Sequence, residues 1–369
     1  MIRKVAVFFG GKSCENEISI LTAVFVLRLI DREKYEPVPL YIHTDGNLYT
    51  SKDMFDLNAF KENNKKNFQR VFLENGVLYA FYPTKHKIKR LTKIDVALNC
   101  CHGGLGEGGG VAALAEWNGI PFASPDLTSS GIFMDKGLTK LAARALNIPT
   151  VDYIRVNEQD YLRRGAFLLK NIQSRLKYPV VIKPSHLGSS IGITVAKNEA
   201  EAKAACDAAF QLDNRVIIEK YLADKKDVNC AACCIRGEIC VSEAEEAFGD
   251  GIYSFEEKYV KRTADGAKGG GRCVLNGDLR DKIRAYTKTL YKRLNLSGVV
   301  RMDFLVSDNK AYLCEVNTVP GSLAYYLFCE RITDARNFFS DLIEEALRST
   351  SDKKVLSTGI LRKVKWLGK

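Results

Sequence analysis

The chain has no apolar run longer than a strand. Residues 5–9 and 180–182 are among the longest, far short of the about 20 residues that a bilayer-spanning helix needs. This excludes a membrane span. There is no internal repeat, and no compositional bias toward collagen, disorder or a coiled coil. Hydrophobic content of 46% and charged content of 27% are those of a soluble globular protein. The first nine residues, MIRKVAVFF, resemble a signal peptide, but the apolar run is brief, and Lys12, Glu15 and Glu17 follow at once. They read instead as a first strand, and cytoplasmic residence is the expectation. The basic residues are dispersed and lack the aromatic-interleaved patch of a nucleic-acid reader. Acids are missing from the tail after Asp352, which carries Lys353, Lys354, Arg362, Lys363, Lys365 and Lys369 and reads as a solvated end.

What the chain does have is length, cysteine and positive charge. Its 369 residues suffice for two or three domains. Eleven cysteines invite a disulfide or zinc framework. Cys100-Cys101 and Cys233-Cys234 are adjacent, however, and most of the others lie inside apolar strand-like runs. Free thiols in a reducing compartment are therefore expected. A formal charge of +11 suits a small anionic ligand once nucleic acid and membrane are set aside.

The pattern predicts strands at 4–9, 36–42 and 94–100 and helices at 17–29, 111–118 and 134–146, an α/β unit with a mainly parallel sheet. From about 150, strands at 151–155, 179–183, 191–195 and 215–219 alternate with helices at 159–174 and 198–210. Strands at 228–235 and 238–245, a glycine-rich segment at 249–271, a helix at 278–294, a hairpin at 299–317 and a helix at 334–348 complete the chain. The expected division is 1–125, 126–215 and 216–349, with a basic tail at 350–369. The fold class is α/β, passing to α+β in the last lobe.

Two glycine motifs are decoys. Gly10-Gly11-Lys12-Ser13 resembles the end of a P-loop, but the motif's first glycine falls on Ala6. Gly104-Leu105-Gly106-Glu107-Gly108-Gly109 satisfies G-x-G-x-x-G, yet the first strand-turn of the chain, where a dinucleotide fingerprint usually sits, lacks it. A turn that brings His102 and Glu107 close to a ligand accounts for the same residues.

The hairpin is more specific. Side chains alternate faces along a strand, so Arg301 and Asp303 share one face, as do Glu315 and Asn317. A two-residue turn at Asp308-Asn309 pairs Asp303 with Cys314. A three-residue loop over 308–310 pairs 303 with 315 and 301 with 317, gathering all four residues, and that register is the one expected. Asp303, Glu315 and Asn317 then form an all-oxygen set suited to Mg²⁺ or Mn²⁺ shared with substrate phosphates; a face neutralised by Arg301 is the alternative. Upstream, Lys183-Pro-Ser-His-Leu-Gly188-Ser189-Ser190-Ile-Gly192 joins two strands through small residues whose N–H groups can cradle anionic oxygens, with Lys183 as a point charge. A strand then ends in Glu219-Lys220-Tyr221-Leu222, suited to an adenine edge, with Asp227 placed for a ribose.

A phosphate loop, a nucleotide-binding strand end and a divalent-metal hairpin, in that order, resemble the ATP-grasp superfamily, and within it the D-alanine–D-alanine ligase family. The phrases that carry the resemblance are Gly10-Gly11-x-Ser13-x-Glu15-x-Glu17, His102-Gly…Gly106-Glu107, Met134-Asp135-Lys136, Lys183-Pro…Gly188-Ser-Ser, Arg301-x-Asp303…Glu315-x-Asn317 and Asn317-Thr-x-Pro-Gly321. They span nearly all of the chain. The resemblance implies a three-lobed ATP-grasp architecture. It also implies an ATP-dependent ligase that phosphorylates the carboxylate of one D-alanine and lets the amine of a second attack the acyl phosphate, for peptidoglycan precursors. Asp303, Glu315 and Asn317 would hold two Mg²⁺ (or Mn²⁺). Lys136, Lys183 and Lys258 would contact phosphates, with Ser190 in the same loop. Glu219, Lys220, Tyr221 and Leu222 would take adenine, and Asp227 the ribose. Glu15 would bind the first substrate's ammonium and join Ser189 and Tyr259 in anchoring a lid at 249–271. Arg301 and Gly321 would form an oxyanion hole, and His102 would lie near the second substrate. Members of the family are commonly homodimers.

Two departures stand out. The family usually has Gly-Glu-Asp-Gly where this chain has Gly106-Glu107-Gly108-Gly109. After Gly321 the family tends to carry small hydroxyl residues, one of which grips the second substrate's carboxylate; here Leu323, Ala324, Tyr325 and Tyr326 follow, with Tyr326 aligned to that serine. A related ligase acting on another amino-acid pair is the nearest alternative, and a non-catalytic nucleotide-binding regulator is the alternative from another class.

Overall fold

The computed structural model describes residues 2–61, 67–247, 273–349 and residue 360. Its first sheet has seven strands in the order β6-β5-β4-β3-β2-β1-β7. Strand β1 (Arg3–Gly10) sits between β2 (Tyr35–Ile42) and β7 (Val96–Asn99), parallel to both. Residues 5–9 are fully buried because the sheet is covered on both faces, which is why the run is apolar without alternation. The sheet is parallel only here. A meander of four antiparallel strands, β3 (Leu48–Thr50), β4 (Gln69–Glu74), β5 (Val77–Tyr82) and β6 (Lys87–Lys93), extends it beyond the mainly parallel expectation. Short strands joined by tight turns carry little periodicity, and β6 is almost wholly exposed and basic, a common protection for a sheet edge. Gly10 ends β1 at φ +88°, and a Cβ there would stand 2.4 Å from the Ile42 carbonyl oxygen, so only glycine fits. The turn leads into helix α1 (Asn16–Leu29).

Helix α2 (Val111–Trp117) follows the glycine-rich turn, and α3 (Leu127–Met134) precedes α4 (Lys136–Ala145). The helix expected at 134–146 is α4, which starts two residues later because Asp135, with φ of −92° and ψ of 110°, separates it from α3, a helix the sequence reading did not include. The Asp135 carboxylate caps α4 by accepting from the Gly137 and Leu138 amides at 2.8 and 3.0 Å. The central sheet, β10 (Thr194–Ala196), β9 (Val180–Pro184), β11 (Arg215–Lys220) and β8 (Tyr153–Asn157), is antiparallel throughout and packs under α5 (Glu158–Arg175) and α6 (Glu199–Phe210). The strand expected from 191 begins only at Thr194, because Ser189, Ser190 and Gly192 have φ of 53°, 60° and 72° and keep the chain in turns.

The third sheet joins β13 (Glu238–Val241), β12 (Lys226–Ile235), β15 (Val299–Ser307) and β16 (Lys310–Asn317), with β14 (Glu245–Glu246) also on β12. One face packs on the helix Gly277–Arg293. The other meets the helix Ala335–Ser349, which lies in the same core as β1 and α1. Cys230 and Cys233 have the spacing of a metal or redox pair, but on a strand an offset of three sends them to opposite faces. Cys230 lies in the core under the helix Gly277–Arg293 and Cys233 in the core under β1. All eleven cysteines are free. The segment 249–271 and the basic tail expected at 350–369, save residue 360, lie outside the described residues.

Candidate active site

Glu15 stands at the N-terminus of α1, where the helix dipole favours a negative charge, and its side chain does not cap the helix. The carboxylate instead accepts a hydrogen bond from Ser189 Oγ, in the loop after β9. This contact spans two lobes and requires Gly188: a Cβ there would lie 2.7 and 2.8 Å from the two Glu15 oxygens. Nearby, Glu107 accepts from the Gly103 amide at 2.8 Å and the Val319 amide at 3.2 Å, tying the glycine-rich turn to the loop that follows β16. Burial, with the Glu15 and Glu315 carboxylates adding, pushes its acid up to about 7. Burial and then the Arg301 charge lower His102 to about 4, so its imidazole is neutral at neutral pH. Its Nε2 is 2.8 Å from Thr22 Oγ1, which also accepts from the Ser322 amide at 3.2 Å.

The cap at Asp135 sets the cationic side of the site. Lys136 is the first residue of α4 and Lys140 lies four residues on, so both point from one helix face. Lys136 Nζ donates to the Leu187 carbonyl at 2.5 Å and is 3.6 Å from Glu315 Oε2. Lys140, wholly buried, is 3.1 Å from Glu219 Oε1, while Lys183 Nζ donates to Glu219 Oε2 at 2.8 Å. Burial alone would raise the Glu219 acid, but the Lys140 and Lys183 ammoniums outweigh it and hold the pKa at about 2. The Glu219 carboxylate is thus enclosed between two lysines.

In the hairpin, Arg301 pairs with Asn317 and Asp303 with Glu315, the expected register, but it arises differently. The turn has two residues, Asp308 and Asn309, with φ of 49° and 55°, the geometry that suits strand twist. From Ser307↔Lys310 to Phe304↔Leu313 the pairing follows that turn. A bulge then places Cys314 out of register and restores Asp303↔Glu315. Arg301 grips Asp303 through Nε at 2.7 Å and Nη2 at 2.8 Å, and donates from Nη1 to the Tyr326 hydroxyl at 3.0 Å. Burial works against its charge, yet the Asp303 carboxylate keeps it cationic. Asn317 Nδ2 donates to Asp303 Oδ2 at 3.0 Å, which leaves its carbonyl oxygen as the atom suited to a cation. Among the described residues no three His, Cys, Asp or Glu side chains gather as a metal cluster; the donor set here is two acids and an amide. Three hard oxygen donors on one face fit Mg²⁺ or Mn²⁺.

Beyond Gly321 the chain takes an unusual path. Ser322, Leu323 and Ala324 have φ of 50°, 53° and 48° in succession, a left-handed turn that costs about 1–2 kcal/mol per non-glycine residue. It delivers Tyr325 onto Phe25 (4.9 Å between centroids) and Tyr326 onto Arg301.

The structure therefore brings together Glu15 with Ser189, Lys136 with Glu315, Lys183 with Glu219, and Arg301 with Asp303, Asn317 and Tyr326. It spreads out the strand-end residues. Lys220 is exposed, and the Lys220 and Tyr221 amides donate to Asp152 and Pro179 carbonyls; the Leu222 amide takes no part in those pairings. Asp227 bonds to Lys225. Lys258 and Tyr259 lie outside the described residues. Sequence reasoning missed Lys140, Thr22 and Cys314. For Lys140 a signal was present, its i+4 spacing from Lys136; Thr22 and Cys314 carried none, since their partners are distant in the chain.

Against this geometry stand the comparisons. Residues 4–125 match the family model described as D-ala D-ala ligase N-terminus, and residues 142–348 the model described as D-ala D-ala ligase C-terminus. A D-alanine–D-alanine ligase of Thermosipho melanesiensis is 34% identical over 97% of this chain and 98% of its own. The crystal structure of D-alanine–D-alanine ligase from Helicobacter pylori is 29% identical with a TM-score of 0.76, covering 95% of this chain and all of that one. The VanG D-Ala:D-Ser ligase from Enterococcus faecalis is 26% identical with a TM-score of 0.76, over 94% and 100%.

Proposed function

The chain belongs to the D-alanine–D-alanine ligase family, and from that premise we infer how the site performs an ATP-dependent ligation of two D-alanines for peptidoglycan synthesis. Lys136 and Lys183 face the ATP phosphates, and the Leu222 amide, clear of the β8 and β9 pairings, meets the adenine edge with Lys220, Tyr221 and Glu219 around it. Asp227 meets the ribose through the oxygen that Lys225 does not hold. Glu15, with Ser189 bonded to it, receives the first amino acid's ammonium, so that the substrate carboxylate lies toward the γ-phosphate; its oxygen attacks the γ-phosphorus, ADP leaves with the bond pair, and the acyl phosphate forms. The second amine attacks that carbonyl carbon; the C–N bond forms, phosphate leaves with the bond pair, and the amine loses a proton. Three of the five Arg301 N–H donors are engaged by Asp303 and Tyr326, and the remaining two, with the Gly321 amide, stabilise the oxyanion, about 3 kcal/mol per donor in comparable sites. Asp303, Glu315 and Asn317 would hold Mg²⁺ or Mn²⁺, which when bound offsets the phosphates' charge. No helix among the described residues is long and apolar enough to cross a membrane; cytoplasmic residence and a homodimer follow the family expectation.

The observation that carries this reading is the bulged hairpin, which gathers Arg301, Asp303, Glu315 and Asn317 beside Lys136. A second reading, a ligase with a different acceptor, is favoured by Tyr326, whose phenol stands on Arg301 where a carboxylate-gripping hydroxyl is expected. Purified protein with MgATP is tested for phosphate release with D-alanine alone, and with D-alanine plus D-serine or D-lactate. Release with D-alanine alone is the expected result. Release only with a mixed pair sinks the first reading in favour of the second.

A further inference from the structure

Lys140 has no role in the chemistry described so far, yet it is a lysine with no solvent exposure at all. It lies one turn beyond Lys136 on α4. Its Nζ is 3.1 Å from Glu219 Oε1 and donates to the Leu313 carbonyl at 3.5 Å, beside the bulge, and it stands over the Tyr153 ring at 5.7 Å. The other oxygen of Glu219 is taken by Lys183 at 2.8 Å. Two buried ammoniums thus share one carboxylate that is itself 2% exposed, and the group keeps one positive charge in excess. Of the nearest groups, Glu315 faces Lys136 at 3.6 Å, and Cys314 Sγ lies 3.8 Å from Lys183. An uncompensated buried charge is costly unless a counter-charge arrives, and this one lies at the end of the site assigned to phosphate.

We propose that Lys140 is a positioning residue for nucleotide binding: by sharing Glu219 it prevents that carboxylate from closing a one-to-one ion pair with Lys183, and so keeps the Lys183 charge directed at the phosphates. The proposal rests on the reading of Lys183 as a phosphate ligand. It also gives Glu219 a different principal task from reading adenine. Glu219 anchors two lysines, and the anchoring works only while both are present. Through the Leu313 carbonyl, Lys140 additionally braces the strand just before the bulge that aligns Glu315 with Asp303.

The test uses the full chain, with MgATP binding measured by calorimetry in the absence of amino acid and steady-state kinetics measured alongside. In Lys140→Met, Glu219 turns wholly to Lys183, and MgATP binding weakens by about tenfold, while KM for D-alanine changes less than about twofold. Adenosine, which carries no phosphate, is bound by Lys140→Met within about threefold of the wild type. A merely structural lysine lowers the melting temperature and weakens both ligands alike. Binding of MgATP by Lys140→Met within about threefold of the wild type overturns the proposal, as does an equal loss for adenosine. If Lys140→Met does not fold, Lys140→Gln decides alone on the same criteria. Wild-type protein that does not bind MgATP removes the reading of the site itself, an outcome separate from either of these.

Discussion

Glu107 and His102 belong to one glycine-rich turn, yet their surroundings move them in opposite directions. Burial raises Glu107 to about 7 and lowers His102 to about 4. Each shift makes folding pH-dependent. Between the ordinary carboxylate value and about 7, the folded chain keeps a proton on Glu107 that the unfolded chain has released. The resulting stabilisation is complete at low pH and is lost as pH rises through about 7. His102 works the other way: below its ordinary value of 6.5 the unfolded chain gains a proton that the buried imidazole refuses, so stability falls as pH drops from 6.5 toward 4. Glu107→Gln removes the first effect and leaves the second in place. The melting temperature of this variant minus that of the wild type should therefore grow more positive from pH 5 to pH 8, read by thermal unfolding across that range. A constant difference would mean that Glu107 ionises as an ordinary acid. The buried partnerships at this scale were the least legible in the sequence. The chemical types of Lys183, Glu219, Asp303 and Glu315 identify a phosphate and cation site, but Lys140, Glu219 and Leu313 are far apart in the chain and only folding reveals that they meet.

At the scale of the element, the hairpin β15–β16 depends on one extra residue. The Asp308-Asn309 turn alone would pair Asp303 with Cys314 and send Glu315 and Asn317 to the opposite face, because the side-chain period is two. The bulge at Cys314 reverses that. The expected pairing was right, while the expected three-residue loop was not. Asp-Asn tolerates the positive φ of a two-residue turn, and a bulge leaves no trace in alternation that is already mixed. The start of α4 was set two residues early for a similar reason: an Asp among helix formers reads as surface until its carboxylate is seen capping the helix that follows. Inserting an alanine between Cys314 and Glu315 sets the new residue opposite Asp303 and turns Glu315 and Asn317 to the other face, and should abolish phosphate release while the hairpin still forms. Deleting Cys314 leaves Glu315 opposite Asp303 in the plain register of the two-residue turn, so it should retain activity, as should Cys314→Ala, within about tenfold, since only the small thiol is lost. Glu315→Gln should match the insertion in activity and the wild type in melting temperature. Activity in the insertion variant comparable to Cys314→Ala would show that the register does not create the site.

The whole molecule is organised by its cores rather than by chain order. The helix Ala335–Ser349 places Phe338, Phe339, Leu342 and Ile343 in the same core as Val5, Val7 and Val24, and Ala231, Cys233 and Val299 reach it from the third sheet. Polar contacts reinforce the junction: Tyr35 donates to Glu344 at 2.6 Å, Arg3 bonds the same carboxylate, and Arg336 bonds Asp31. The central sheet has a separate core around Ile172, Ile182 and Val216. Its links to the rest include site residues: Ser189 bonds Glu15, and Lys183 and Glu219 stand opposite Lys140 and Cys314. The first and third lobes should therefore lose stability together, and the central lobe separately. Phe339 is fully buried and meets Phe25 edge-on at 6.1 Å, so Phe339→Ala costs about 3–5 kcal/mol. In native-state hydrogen exchange that loss should appear equally in β1 and β15, although the substitution lies near the chain's other end. Ile172→Ala should cost about 2–5 kcal/mol, confined to β8, β9 and β11. If Phe339→Ala lowers protection only in its own helix and the neighbouring β12 and β15, with β1 unchanged, the shared core does not couple the lobes, and the two walls of the site are held independently.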